Sequence, residues 1–419
     1  MTITVHKSEL VGETQLPGSK SIMQRFLVAA ALTKGTSIIR EPARNDDSLF
    51  MIQAIRELGA EIEFDKDDLV VTGNLQWPAN PLNVGESGLG MRLLIPVASL
   101  FDKSVKVIGT GTLRSRPIDE FGPALESLGV SFHARGGKLP ATVKGPLKGG
   151  STTVNGSISS QYLSGLLMAA PLCEQDTVIA VEDLKSKPYV DLTLEVMRDF
   201  GIEVENNDYR TFRVKGKQVY KPSDVTVRGD WSGGAALLVA GAVGSRNGIK
   251  IKGLDYSYTQ ADRAISGVLL FAGARLMQEE DGVAVFAPKL RSFSFDATDC
   301  PDLFPVLAAL AVKCNKPSTI TGVSRLEHKE SNRAVVIRDE FAKAGIRVEL
   351  NGDEMVVHPG VPQPCTIDSH HDHRIVMAAA ILGIIGGPIE ILHAESVSKS
   401  FDSFFGCLME LGVKLSKKK

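Results

Sequence analysis

The chain has 419 residues, 43% of them hydrophobic, and a formal net charge of −2. That length is ample for two globular domains of about 200 residues each. The near-neutral balance argues against a general nucleic-acid or acidic-membrane surface.

In chain order, Met1–Val5 and Thr14–Leu16 read as strands, and a regular alternation follows. Pro17–Ser21 leads into the apolar run Phe26–Leu32, Gly85–Gly88 into Leu93–Leu100, and Ser157–Gln161 into Leu163–Leu172. Gly229–Gly233 leads into Ala235–Val243, Asp299–Asp302 into Phe304–Val312, and His370–Arg374 into Ile375–Ile385. A helix apolar on every face is expected to be buried inside its domain. A strand and a second, amphipathic helix follow each run. That helix closes on Leu58-Gly59-Ala60, Leu128-Gly129-Val130, Phe200-Gly201-Ile202, Ala272-Gly273-Ala274, Ala344-Gly345-Ile346 or Leu411-Gly412-Val413. Glycine just past a helix is the expected left-handed cap. Two alternating strands come next, such as Ala60–Phe64 with Leu69–Val71.

The chain therefore reads as six copies of a βαβαββ unit, an α/β (α+β) architecture. The sixth copy is short of strands, and the N-terminal strands are expected to complete it. Residues 1–15 with 229–419 then form a terminal domain of three units, and residues 16–228 an inserted domain of three. Two crossings between them make domain closure plausible, with the active site in the cleft.

The helix starts carry the chemistry. Unpaired N–H groups and partial positive charge at several converging N-termini make an anion site. Lys20 and Arg25 open the first unit, Arg92 and Arg116 the second, Lys329 and Arg333 the fifth, and Arg374 and Lys399 the sixth. Any one of these is unremarkable at a surface, but beside apolar helices a cation calls for an anionic partner. Lys329 and Arg333 stand i, i+4 on one expected helix face, where like charges repel, so an anionic ligand is a reasonable missing partner. Ser159 and Ser160 fit N-caps or phosphate donors equally. Asp302 is a cap or, among cations, a proton shuttle.

His370, His371 and His373 invite a metal, but Asp372 and Arg374 among them argue against it, and no metal or organic cofactor is expected. Five cysteines without paired spacing fit a reducing compartment. Met1–Leu10 lacks an apolar signal core, so Asn155-Gly156-Ser157 is a sequon by pattern only, and a cytoplasmic monomer is expected. No apolar run is long enough to span a bilayer, and Lys417–Lys419 reads as a solvated tail.

With these segments in place, the chain resembles the enolpyruvyl transferases, in their EPSP synthase (3-phosphoshikimate 1-carboxyvinyltransferase) branch. The resemblance runs the whole length, through Leu16-Pro17-Gly18-Ser19-Lys20-Ser21, Arg116-Pro117-Ile118, Ser159-Ser160-Gln161, Ser186-Lys187-Pro188-Tyr189, Arg325-Leu326-Glu327-His328-Lys329-Glu330-Ser331, Asp372-His373-Arg374 and Lys399-Ser400-Phe401. It implies two inside-out αβ domains and transfer of the enolpyruvyl group of phosphoenolpyruvate to the 5-hydroxyl of shikimate 3-phosphate. The two substrates bring about five or six negative charges, which suits a dense donor array. By position, the resemblance implies Ser159, Ser160, Ser186 and Lys329 on the shikimate phosphate, Ser21 and Arg25 on its carboxylate, and Asp302 and Lys329 on its hydroxyls. Lys20, Arg116, Gln161 and the Gly88 backbone would hold the phosphate of phosphoenolpyruvate, and Arg333, Arg374 and Lys399 its carboxylate. Asp302 would be the base, with Glu330 or Lys20 as proton donor.

The second unit departs from the family pattern at Glu86-Ser87-Gly88-Leu89-Gly90-Met91-Arg92, where Glu86 puts an anion near the expected phosphate and Leu89 removes a hydroxyl. Two other readings stand beside the main one: the sister UDP-N-acetylglucosamine enolpyruvyl transferase, and a non-catalytic anion-binding protein on the same scaffold. The first lacks its loop cysteine in Gly109–Ser115, and the second has no need of both Asp302 and Glu330.

Overall fold

The computed structural model describes residues 1–327 and 329–418, so His328 of the Arg325–Ser331 motif and Lys419 of the terminal lysine run lie outside the described residues. The chain divides into two compact units: an inserted one of Gly18–Arg228 with Ser257–Thr259, and a terminal one of Met1–Pro17, Gly229–Tyr256 and Gln260–Lys419.

Among the described residues each unit holds three pairs of α-helices. In the inserted unit these are α1 (Lys20–Ala31) with α2 (Asp46–Glu57), α3 (Gly88–Ala98) with α4 (Phe121–Ser127), and α5 (Gln161–Ala169) with α6 (Lys187–Asp199). The terminal unit has α7 (Trp231–Gly244) with α8 (Ile265–Phe271), α9 (Phe304–Val312) with α10 (Arg333–Lys343), and α11 (His373–Ile385) with α12 (Phe404–Glu410). The first helix of every pair is the apolar one. Residues of α9 and α11 are buried along their entire length. In the inserted unit α3 packs on both α1 and α5, while α7, α9 and α11 pack on one another. Each trio thus becomes the core around which sheets form the outer layer, because a helix without a polar face is stable only when enclosed.

The described residues form six four-stranded sheets with one shared pattern: a parallel pair at one edge, then two antiparallel strands. In the fifth, Ser294–Asp296 runs parallel to Ser318–Thr321, which pairs antiparallel with Glu354–Val357, and that in turn with Val348–Asn351. The glycines of the six helix-to-strand turns all adopt left-handed backbone, with φ of 93, 84, 76, 97, 74 and 87° from Gly59 to Gly412. A side chain there would be strained, which is why the turn repeats glycine rather than any other small residue.

Thr2–Val5 enters the sixth sheet between Ile389–Leu392 and Leu415–Lys418, making up the short last unit. The second N-terminal strand behaves differently from expectation. Glu13–Gln15 runs parallel to Ile249–Lys252 and so starts the fourth sheet, not the sixth. The first sheet receives its parallel edge from Asp224–Thr226, which pairs with Thr36–Arg40. The two strands are exchanged: each lies just before a core helix but joins the sheet of another unit. Hydrophobic alternation in a three-residue strand carries no information about its partner.

Candidate functional site

Both units present a cluster of charge at their core-helix starts. In the inserted unit, Lys20 opens α1, and its Nζ lies 3.0 Å from Oδ2 of Asp47 in the first turn of α2. Asp47 is 5% exposed, an acid that the repeat pattern did not single out. One turn further, Arg25 is fully buried. Its guanidinium donates to the Ser21 carbonyl (2.9 Å), the Thr193 hydroxyl (2.8 Å) and the Tyr189 carbonyl (3.2 Å). Burial pulls it down to about 10. Arg25 therefore ties α1 to α6 and fixes the backbone of Ser21.

The glycine-rich start of α3 is built around arginines. Ser87 caps the helix, accepting from the Gly90 N–H at 3.0 Å. Arg92 lies over the Tyr162 ring at 4.9 Å and donates to Gln161 Oε1 at 3.1 Å, so α3 and α5 share one cation. A β-carbon on Gly88 would lie 2.7 Å from a guanidinium nitrogen of Arg116 and 3.1 Å from one of Arg92. Gly88 is thus the residue that allows both arginines to close on the loop. Glu86, expected near a phosphate, is engaged elsewhere. Its Oε2 accepts from the backbone N–H and the hydroxyl of Thr112, both at 2.9 Å, at the start of the turn Gly111–Ser115. The carboxylate satisfies one of that turn's N–H groups, so Glu86 stabilises the loop carrying Arg116.

At α5, Ser159 Oγ accepts from the Gln161 N–H at 3.3 Å, whereas the Ser160 side chain makes no capping bond. Only one of the two serines behaves as a cap. Ser186 precedes α6 in left-handed backbone with φ 57°, an orientation uncommon outside glycine.

The terminal unit gathers the acids. Arg333 is 1% exposed and touches three carboxylates: Asp372 (Nε–Oδ2, 2.8 Å), Asp302 (2.7 Å) and Glu330 (2.5 Å). Lys329 Nζ lies 3.3 Å from the same Asp302 Oδ1. The expectation that Lys329 and Arg333 share a helix face is corrected here. Asn332 caps α10, accepting from Val335, so the helix begins at Arg333 and Lys329 stands in the segment before it. Protein carboxylates, not only a ligand, relieve the repulsion. Asp302 is likewise no cap: it lies in the short turn Pro301–Leu303 and makes no capping bond. Burial opposes its ionisation, but Lys329, Arg374 and Arg333 together hold its carboxyl well below the usual range. Burial and the nearby Arg333 in turn lower the Lys329 ammonium, against the pull of Asp302.

Arg374, 4% exposed in the first turn of α11, has Asp302 Oδ2 at 3.6 Å and Asp262 Oδ2 at 3.9 Å. It donates to the Ser232 carbonyl at 3.0 Å. Asp372 caps α11 through the Arg374 N–H (2.9 Å), linking the two arginines through one acid. Lys399 donates to the His371 carbonyl at 2.9 Å. It ends the turn Ala394–Lys399 and does not start a helix, just as Arg116 follows the turn Gly111–Ser115. Sequence alone missed these turns because their three- or four-residue period resembles the start of the helix that follows.

The histidine segment scatters. His373 is buried, and His370 Nε2 lies 3.1 Å from Glu340. His371, His393 and Glu395 bring ligand-type atoms within 4.8 Å of one another, a grouping hidden from the sequence because His393 is remote along the chain. Glu395 already meets the Met1 ammonium at 2.5 Å. No helix among the described residues is long and apolar enough to cross a membrane.

The family pattern described as EPSP synthase (3-phosphoshikimate 1-carboxyvinyltransferase) matches residues 5–408. A 3-phosphoshikimate 1-carboxyvinyltransferase from Clostridium kluyveri is 35% identical over 98% of this chain and 97% of its own. One from Methanococcoides burtonii is 36% identical, covering 98% of each. Among solved structures, EPSP synthase from Acinetobacter baumannii superposes with a TM-score of 0.84 at 23% identity, over 99% of this chain and 100% of that one. The enolpyruvyl transferase NikO from Streptomyces tendae gives 0.80 at 18%, over 99% and 98%, and at such identities the likeness speaks for the fold. With a match that spans nearly the whole chain, and relatives above a third identical from end to end, the chain belongs to the EPSP synthase family of transferases.

Proposed function

We propose that this chain transfers the enolpyruvyl group of phosphoenolpyruvate to the 5-hydroxyl of shikimate 3-phosphate and releases phosphate. The observation that carries the reading is Asp302, an ionised carboxylate among Lys329, Arg333 and Arg374, in a chain that matches the family from end to end. That full-length match favours this reaction over UDP-N-acetylglucosamine as acceptor, and over an anion-binding protein without chemistry. A cytoplasmic location fits the five cysteines, all of them free.

In this reading Asp302 takes the proton of the 5-hydroxyl as its oxygen adds to C2 of phosphoenolpyruvate. Glu330 or Lys20 delivers a proton to the methylene carbon, giving a tetrahedral intermediate. Loss of a methyl proton and of phosphate then restores the double bond. Held low by three cations, Asp302 is a weak base at rest. Substrate phosphate and carboxylate groups would offset those cations and raise its basicity, so the base strengthens when the substrates arrive. Lys329, Ser159, Ser160 and Ser186 are assigned to the shikimate phosphate, and Ser21, fixed by Arg25, to its carboxylate. Arg116, Lys20, Gln161 and the Gly88 N–H are assigned to the phosphate of phosphoenolpyruvate, and Arg374 with Lys399 to its carboxylate. Arg333, saturated by acids, is assigned to holding Asp302 and Glu330 in place.

A coupled phosphate-release assay tests the reading. Phosphate should appear only when both substrates are present, and its absence at millimolar concentrations of each would overturn the assignment. Lys20→Met should lower kcat/KM by at least about a hundredfold while the circular dichroism spectrum is retained, because an anion clamp acting on the transition state is lost. Gly88→Ala should raise the KM for phosphoenolpyruvate by about tenfold with a smaller change in kcat, since its β-carbon displaces the Arg116 guanidinium. An unchanged KM in that variant would show that Arg116 does not hold this substrate.

A further inference from the structure

Asp262 takes no part in the roles assigned above, yet it is 1% exposed and lies beside Arg374. It belongs to the short turn Ala261–Ala264 that precedes α8. Of the corresponding turns in the second, fifth and sixth units, Gly111–Ser115 is followed by Arg116, Val323–Leu326 comes shortly before Lys329, and Ala394–Lys399 ends on Lys399. At that place the fourth unit alone of these four buries an acid.

The contacts of Asp262 are incomplete in a specific way. Its Oδ2 accepts from the Ser232 hydroxyl at 2.5 Å, while Oδ1 makes no hydrogen bond among the described residues. The nearest Arg374 nitrogen stops 3.9 Å from Oδ2, and the Nε of that arginine also makes no hydrogen bond among the described residues. Two enclosed, opposite charges therefore sit side by side without closing into a bidentate pair. Both are anchored on Ser232: Asp262 through the hydroxyl and Arg374 through the carbonyl. An unmade fork in a buried arginine leaves its donors available to another carboxylate.

We propose that Asp262 is a positioning residue that holds Arg374 through Ser232, and that it must carry a proton for an anionic substrate group to bind at Arg374. The inference rests on the reading that Arg374 takes the carboxylate of phosphoenolpyruvate. Burial lifts the Asp262 carboxyl to about 7, opposed by Arg374 and Ser232 and assisted by Asp302 and Asp230; the thiol of Cys300 faces it as well. An arriving substrate carboxylate adds negative charge beside Asp262 and favours its protonated form further. Binding then takes up a proton, and affinity falls as pH rises through about 7.

The test is the KM for phosphoenolpyruvate from pH 6 to 8.5 at saturating shikimate 3-phosphate. Wild-type KM should rise about thirtyfold relative to Asp262→Asn, whose side chain cannot ionise; the titration of the substrate's own phosphate is common to both and cancels in the ratio. A ratio constant across that range would overturn the proposal. Ser232→Ala keeps the carboxylate but removes a bond to its ionised form, so the break should move to higher pH; an unmoved break counts against the proposal even if Asp262→Asn fails to fold. The underlying assignment fails differently: Arg374→Ala would leave the KM for phosphoenolpyruvate unchanged.

Discussion

Arg333→Ala is expected to destabilise the terminal unit by about 3–5 kcal/mol and to abolish turnover. The guanidinium is 1% exposed and its three nitrogens reach Asp302, Glu330 and Asp372. Without it, Asp302, Glu330 and Asp372 lose the cation they share, and Asp302 keeps Lys329 and Arg374 beside it. Asp372 would suffer most, because it is fully buried and also caps α11. Arg333→Lys should recover only part of the loss, since an ammonium cannot reproduce the planar fork. The acids left behind in Arg333→Ala would bind protons more tightly when folded than when unfolded. Their stabilising protonation is present at low pH and lost as pH rises, so the deficit should shrink as pH is lowered from 7 to 5.5. Urea unfolding at both values measures this, and a midpoint equal to wild type at pH 7 would show that the acids are not held by Arg333.

Asp302→Asn is expected to lower kcat by about 10²–10⁴ without raising the KM of either substrate. The amide keeps the shape but cannot take the hydroxyl proton. It also frees Lys329, Arg333 and Arg374 from one negative charge, so the local field becomes more attractive to anions. Wild-type Asp302 is held well below the usual carboxylate range by those cations against burial. Its stabilising charge is present above the ordinary carboxylate pKa and lost only as pH falls through the depressed value. The variant should therefore be less stable than the parent at neutral pH, a deficit that vanishes as pH falls through the depressed value, so rates are compared on protein whose circular dichroism spectrum shows it folded. Steady-state kinetics with both substrates decide the matter, and a kcat within fivefold of wild type would remove Asp302 from the proton-transfer step.

How far such roles can be read in advance depends on the distance over which each residue acts. The left-handed turns from Gly59 to Gly412 are local, decided by backbone sterics within a few residues, and so they are legible as a repeat. The burial of α9 and α11 is legible for the same reason: no face of either helix tolerates water. The candidate cations stood out because a charge beside an apolar run is unusual. Of their acids Asp302 stood out in the same way, but Asp47 did not. Asp47 is an ordinary first-turn residue by sequence, and only the packing of α2 on α1 makes it the partner of Lys20.

Legible along the chain were the period, the six left-handed glycine turns and the enclosed helices, since all of these follow from short-range conformational preference and hydrophobicity. Tertiary structure alone decided pairing and charge state. It exchanged Glu13–Gln15 and Asp224–Thr226 between sheets, turned Glu86 onto Thr112, and closed Asp302, Glu330 and Asp372 around Arg333. It also brought Asp262, more than a hundred positions away along the chain, to the side of Arg374. The physical reason is that strand pairing and Coulomb interaction depend on distance in space and on local burial, and neither can be read from separation along the chain.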